Sequence, residues 1–165
     1  MLSLLLSFLS GFFVSLTDRL SDKKNKLGFF TAIAFGLLLG FLISQGGAVS
    51  EVLAGGFLGV LIAGKLDSRP HLTGAIALLA TLGFLGLPIA NLTLVLLFTL
   101  AALIDEYLDE RLSKKKFVLT RPLLPFFALL ISLASGKWEY FTAIALFDLG
   151  YLVAGKVKLA SLHLP

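Results

Sequence analysis

Leu92-Thr93-Leu94-Val95-Leu96-Leu97-Phe98-Thr99-Leu100-Ala101-Ala102-Leu103-Ile104 runs without a charge and then breaks into Asp105-Glu106-Tyr107-Leu108-Asp109-Glu110-Arg111. The run does not alternate apolar with polar residues, so it cannot be one wall of a β-barrel, and its length suits a helix. The rest of the chain is built the same way. Of 165 residues, 58% are hydrophobic and 15% charged, with a mean hydropathy of +0.97, against about 45–50% and about 25% in an average soluble domain. So much apolar surface does not fit inside one small soluble core. In lipid the backbone must satisfy its own hydrogen bonds, which leaves helices as the solution. The expected fold class is therefore all-α: a polytopic integral membrane protein, multi-pass in the plasma membrane, with a single transmembrane domain over 1–165.

Charges, Gly/Pro turns and short polar gaps divide the chain into seven expected helices, near 2–17, 27–44, 47–64, 72–87, 90–108, 122–135 and 138–155. Arg19, Lys23, Lys24 and Lys26 follow the first, and Lys65 and Arg69 the third. Arg111, Lys114, Lys115, Lys116 and Arg121 follow the fifth, Lys156 and Lys158 the seventh, and only Lys137 falls on the other side. Cationic connections stay cytoplasmic, so this split predicts the N-terminus outside and the C-terminus inside. Leu2 to Leu16 has no preceding Lys or Arg and no small-residue cleavage site, and is expected to be a retained first helix.

The halves of the chain resemble each other. Asp18-Arg19-Leu20-Ser21-Asp22, a Lys-rich stretch and Phe29-Phe30 recur as Asp105-Glu106-Tyr107-Leu108-Asp109, a Lys-rich stretch and Phe126-Phe127. Leu58-Gly59-Val60-Leu61-Ile62-Ala63-Gly64-Lys65 recurs as Leu149-Gly150-Tyr151-Leu152-Val153-Ala154-Gly155-Lys156. A parallel 3+1+3 repeat is expected, with helices 1–3 (residues 1–66) duplicated as helices 5–7 (90–158) around a linker helix in 67–89. Gly36-xxx-Gly40 and Gly55-xxx-Gly59 put glycines one turn apart, where helix backbones can approach closely.

Composition removes several classes of function. Without cysteine there are no disulfides, thiol chemistry or Cys-based metal sites. One glutamine, two asparagines and no methionine beyond the first fit a heat-adapted prokaryote. The net charge of +4 follows from topology and contact with anionic membrane lipid, and nucleic acid is not expected as a partner. Gly59-xxxx-Gly64-Lys65 and Gly150-xxxx-Gly155-Lys156 imitate the start of a P-loop, but Leu66 and Val157 stand where Ser or Thr must hold Mg²⁺.

The residues that carry chemistry gather at the expected cytoplasmic ends. Asp18 with Asp22, and Asp105 with Asp109, sit at i, i+4 on one helical face, a spacing at which two carboxylates can share a divalent cation. Mg²⁺ is the candidate cofactor, with Asp105 and Asp109 as its ligands. Glu106 and Glu110 form a second acidic pair, and Lys114 to Lys116 and Arg121 are near enough to neutralise an anion. Lys65, Asp67, Arg69 and His71, in the connection after helix 3, can join this cluster or serve as a snorkelling turn.

Asp105 to Arg111 followed by Arg121-Pro122-Leu123 resembles one aspartate-rich loop of the UbiA-type membrane prenyltransferases, over about twenty residues. In that family a similar motif stands four helices earlier, as Asp18-xxx-Asp22 does here, though without the family's leading Asn-Asp and in a far shorter chain. The resemblance implies a prenyl diphosphate held through Mg²⁺.

Asp148, in Ala145-Leu146-Phe147-Asp148-Leu149-Gly150-Tyr151, is the ionisable residue that falls deep within an expected span. It lies about 12 Å from the Lys156 end at about 1.5 Å per residue. A carboxylate so placed faces a bundle interior or a path for solute, and Asp148 and Tyr151 are the candidate path residues. Near the outer ends, Glu51 and Glu139 accompany Lys137, Trp138 and Tyr140, whose aromatic rings are expected as interface anchors. Asn91-Leu92-Thr93 is a glycosylation sequon by letters.

Three readings follow. The first is a permease or transporter for an ion or small solute with an intramembrane carboxylate. The second is an Mg²⁺-dependent enzyme acting on a lipid or prenyl phosphate, which requires the two aspartate pairs to face one cavity. The third is a non-catalytic membrane subunit whose partner polypeptide is not in this sequence; for any of the three, a homo-oligomer is a candidate assembly.

Overall fold

The computed structural model describes residues 2–112 and 122–157, with side chains for all of these except Glu110, Arg111 and Leu112. Among the described residues there are seven helices and no strands: α1 (Leu2–Asp22), α2 (Leu27–Ser44), α3 (Gly47–Ile62), α4 (Arg69–Leu85), α5 (Leu92–Leu112), α6 (Leu123–Ser135) and α7 (Glu139–Lys156). α1 and α2 are long and apolar enough to cross a membrane.

Two helix ends lie more than a turn beyond the sequence expectation. α1 runs on through Asp22 because Leu20, within the charged stretch, is buried and continues the packed face. α5 likewise carries its acidic residues on the helix itself, as far as Leu112. α4 starts at Arg69 because Ser68 caps it, its Oγ accepting the His71 N–H, with Pro70 tolerated in the first turn where no N–H is needed. Asn91 caps α5 by accepting the Leu94 N–H, a structural use for the sequon asparagine.

Large apolar side chains lie on the outside of the helices as well as in the core. The buried side of α1 is Ser7, Ser10, Gly11, Ser15, Thr17 and Leu20, while Leu2 and Leu5 point outward. The buried hydroxyls of Ser7, Ser10 and Thr17 donate to carbonyls one turn back, so they need no partner from another helix. Thr17 also bonds Thr31, tying α1 to α2. Outward apolar stripes at helical spacing mark the other helices: Phe30, Ile33, Leu37 and Phe41 on α2, Leu72, Ile76 and Leu79 on α4, and Leu92, Leu96, Leu100 and Ile104 on α5.

Small residues set the helix pairs. α1 packs on α7 and α2, α2 on α4, and α3 on α5, with lesser contacts from α6 to α5 and α7 and from α3 to α2 and α7. At the α1–α7 crossing a Cβ on Gly11 would stand 1.9 Å from the Phe147 carbonyl oxygen, and one on Gly150 2.0 Å from that of Phe8. No side chain fits in either place. Gly36 and Gly40 meet α4 at Gly74 and Thr81, and Gly55 and Gly59 meet α5 at Phe98 and Ala102.

The apolar core lies between these pairs, built from Phe35, Leu39 and Leu42 on α2, Val52 and Leu53 on α3, Phe98 on α5 and Ala143 and Ile144 on α7.

Candidate functional site

The C-terminal ends of α1, α3, α5 and α7 and the N-terminal ends of α4 and α6 surround one cavity of about 680 Å³. Its two ends are chemically different. Val14, Phe35, Leu39, Leu53, Phe57, Ile144 and Phe147 line the apolar part, whereas Asp18, Asp22, Asp67, Asp105, Glu106, Asp109 and Asp148 supply carboxylates, joined by Lys65, His71 and Tyr151. Both i, i+4 aspartate pairs therefore border the same space, although they come from helices 1 and 5 of the chain. Phe57, the residue that corresponds to Asp148 in the sequence repeat, lines it too.

Within each pair the inner member is held by other helices. Asp18 accepts from His71 Nε2 at 2.6 Å and from the Tyr151 hydroxyl at 2.7 Å, joining α1 to α4 and α7. His71 continues the chain of contacts, its Nδ1 standing 2.8 Å from Ser68 Oγ. Asp105 is fully buried and accepts the backbone N–H groups of Leu123 and Leu124 at 2.9 and 2.8 Å, one on each carboxylate oxygen. These are orphan donors at the start of α6, where Pro122 supplies no side-chain cap. Negative charge there also suits the positive end of the helix dipole.

The outer members stand differently. Asp22 is exposed and Asp109 partly so, and neither accepts a hydrogen bond from a described residue. Each Asp105 oxygen already accepts an N–H at the start of α6, so of the two pairs Asp22 and Asp109 are the members more open to a cation. Among the described residues no three His, Asp or Glu side chains converge as a metal cage.

His71 holds its proton above the ordinary histidine value of 6.5. The hydrogen bond to Asp18 is the main cause; partial burial opposes it, and the negative charges of Asp18, Asp67 and Asp22 add to it.

Asp67 and Lys65 line the cavity, but Arg69 stands exposed at the first position of α4, outside it. Arg19 instead donates to the Ala154 carbonyl at the end of α7, a cation satisfying a C-terminal helix oxygen. Arg121, Glu110, Arg111, Lys114, Lys115, Lys116 and Lys158 lie outside the residues whose side chains are described.

One buried carboxylate was not legible beforehand. Glu51 on α3 and Tyr140 on α7 are each 3% exposed, and the tyrosine hydroxyl donates to Glu51 at 2.6 Å. Tyr140 also packs against Phe98, ring centroids 5.7 Å apart. It is a buried partner, and only Trp138 of the two aromatic residues is exposed as an interface anchor would be. A Glu and a Tyr 89 residues apart carry no local pattern that would have paired them.

No protein-family model matches the chain, and no curated protein or solved structure is significantly similar to it. The functional argument therefore rests on the cavity.

Proposed function

We propose that this chain is a multi-pass membrane protein whose cavity binds a lipid or prenyl phosphate through Mg²⁺ at the cytoplasmic face and acts on it as an enzyme. The single observation that carries this reading is the division of one cavity into an apolar depth and a carboxylate-lined end. A tail of hydrocarbon matches the first and a cation-bridged phosphate the second. Mg²⁺ is commonly held by one or two carboxylates, with water and substrate phosphate completing its shell, so Asp22 and Asp109 suffice without a protein cage. They present hard oxygen donors, the chemistry this ion requires. Lys65 adds a cation beside the phosphate.

Lipid as the solvent accounts for the outward stripes of Leu, Ile and Phe on successive helices and for the buried serines of α1. In water such stripes would drive aggregation. Seven crossings put the cavity's acidic end on the side of the Lys- and Arg-rich connections, inside the plasma membrane, with the N-terminus outside.

A duplication of helices 1–3 as 5–7 is supported by the exchange of partners between α1–α7 and α3–α5. Gly150 sits on the backbone at Phe8 and Phe12, and Gly59 on that at Thr99 and Leu103. From 8 to 99, 12 to 103 and 59 to 150 the shift is the same, 91 residues. That register pairs Asp18 with Asp109, one turn away from the pairing the sequence suggests.

The test is binding of farnesyl phosphate to the detergent-purified chain. We expect affinity that depends on Mg²⁺ and falls at least tenfold in Asp22→Asn or Asp109→Asn. Binding that ignores both Mg²⁺ and these substitutions would overturn the reading. Labelling of the segments after residues 17 and 108 should find both on the cytoplasmic side.

A permease is the second reading, favoured by Asp148 standing in the cavity wall near Tyr151. It requires Asp148→Asn to abolish proton- or ion-coupled flux in liposomes; flux equal to that of the unmodified protein eliminates it.

A further inference from the structure

Ser68, His71 and Asp18 come from two separate parts of the chain and meet in the wall of the cavity. The Ser68 hydroxyl is 2.8 Å from His71 Nδ1, and His71 Nε2 donates to Asp18 at 2.6 Å. With the proton of the neutral ring fixed on Nε2 by the carboxylate, Nδ1 is left as an acceptor for the hydroxyl hydrogen. This is the order nucleophile, base and orienting acid that activates serine in hydrolases, with the two ring nitrogens exchanged. Tyr151 fixes the second Asp18 oxygen, so the carboxylate is held from α7 as well as from α4.

Ser68 has a structural duty, since it caps α4 by accepting the His71 N–H at 3.3 Å. That duty explains a hydroxyl at position 68. It does not explain a histidine three residues later, turned to both the hydroxyl and a carboxylate 53 residues away, with all three bordering a cavity.

We propose that Ser68 is the nucleophile of this cavity, with His71 as its base and Asp18 as the positioning residue, and that it takes the phosphoryl group of the lipid phosphate. The inference rests on the reading above for its substrate. Ser68 Oγ forms a bond to phosphorus while the bond from phosphorus to the lipid oxygen breaks. The serine proton passes to His71 Nδ1 and from there to the departing lipid oxygen, giving the alcohol. Water then attacks the phosphoserine with His71 again as base, releasing inorganic phosphate and restoring the hydroxyl.

The full chain in detergent is treated with a fluorophosphonate, whose phosphorus is attacked by an activated serine with loss of fluoride, and the adduct is located by mass spectrometry. Labelling of Ser68 is expected, absent in Ser68→Asn, which keeps a good helix cap and should melt with the unmodified protein. His71→Gln should slow it by about 100-fold or more, in the range of general-base catalysis. Asp18→Asn should move the pH midpoint of labelling downward, a change that mere loss of packing would not produce. No adduct on the unmodified chain, or one that persists in Ser68→Asn, overturns the nucleophile. Mg²⁺-dependent farnesyl phosphate binding is measured on the unmodified chain in parallel with its labelling. Binding without labelling removes the nucleophile and leaves the binding reading intact, whereas labelling without binding upholds the nucleophile and removes the phosphate as its substrate.

Discussion

Asp18 and Asp105 occupy the same place in their sequence motifs, each the first of an i, i+4 aspartate pair toward the C-terminal end of a helix, yet the fold uses them differently. Asp105 is fully buried and spends both oxygens on the backbone of α6. Asp18 is about one-third exposed and holds two side chains, His71 and Tyr151, that line the cavity. One carboxylate caps a helix and the other ties together side chains of the cavity wall. The register of the proposed duplication gives a reason for the divergence, because it matches Asp18 with Asp109 and Asp105 with the apolar Val14. Residues that look like counterparts by letter are then one helical turn apart in space.

The sharpest way to break this comparison is to remove each carboxylate in turn. Asp105→Ala leaves two buried N–H groups at the start of α6 without their acceptor, and should cost about 3 kcal/mol or more, since charged hydrogen bonds of this kind are worth about 1.5–3 kcal/mol each. Unfolding in detergent would read it as a drop in midpoint, with Asp105→Asn intermediate because one acceptor oxygen remains. A loss no larger than that of Asp109→Ala would show that Asp105 is not the capping member. Asp18→Ala should cost less, about 1–2 kcal/mol, because its site is partly open and water can replace part of what is lost.

A third distinction is in pH. His71 binds its proton more tightly in the folded chain than in the unfolded one. The stability this provides is present in full below the ordinary value of 6.5 and is lost as pH rises through the higher folded value. Thermal midpoints recorded across that interval should fall for the unmodified protein and stay flatter for Asp18→Asn, while Asp105→Asn keeps the slope. The smallest effect is expected at the outer members: Asp22→Asn and Asp109→Asn should change stability by only about 0.5 kcal/mol, as surface changes do. A loss of several kcal/mol from either would place it with Asp105.

Helix-forming segments were legible in the sequence because an apolar run interrupted by charges and Gly/Pro needs no tertiary information to be read. The Gly36/Gly40 and Gly55/Gly59 pairs identified close-packed faces for the same reason, since spacing on one helix is a local property. The site was legible only as an inventory. Asp18, Asp22, Lys65, Asp67, His71, Asp105, Glu106, Asp109, Asp148 and Tyr151 could be named, but not which would cap a helix, hold a histidine or border open space. Glu51 and Tyr140 escaped because each half of that pair is ordinary in its own surroundings.

Composition and periodicity by themselves determined the all-helical class, the seven segments and the gathering of charge at alternate connections, because the backbone's own hydrogen bonds and the burial of apolar side chains act along the chain. Only the tertiary structure decided that α1 crosses α7 through Gly11 and Gly150, that Asp105 serves α6, and that Ser68, His71, Asp18 and Tyr151 meet. Those outcomes depend on contacts between residues up to 142 positions apart, whose geometry is set by how closely whole helices can approach and not by any spacing along one of them.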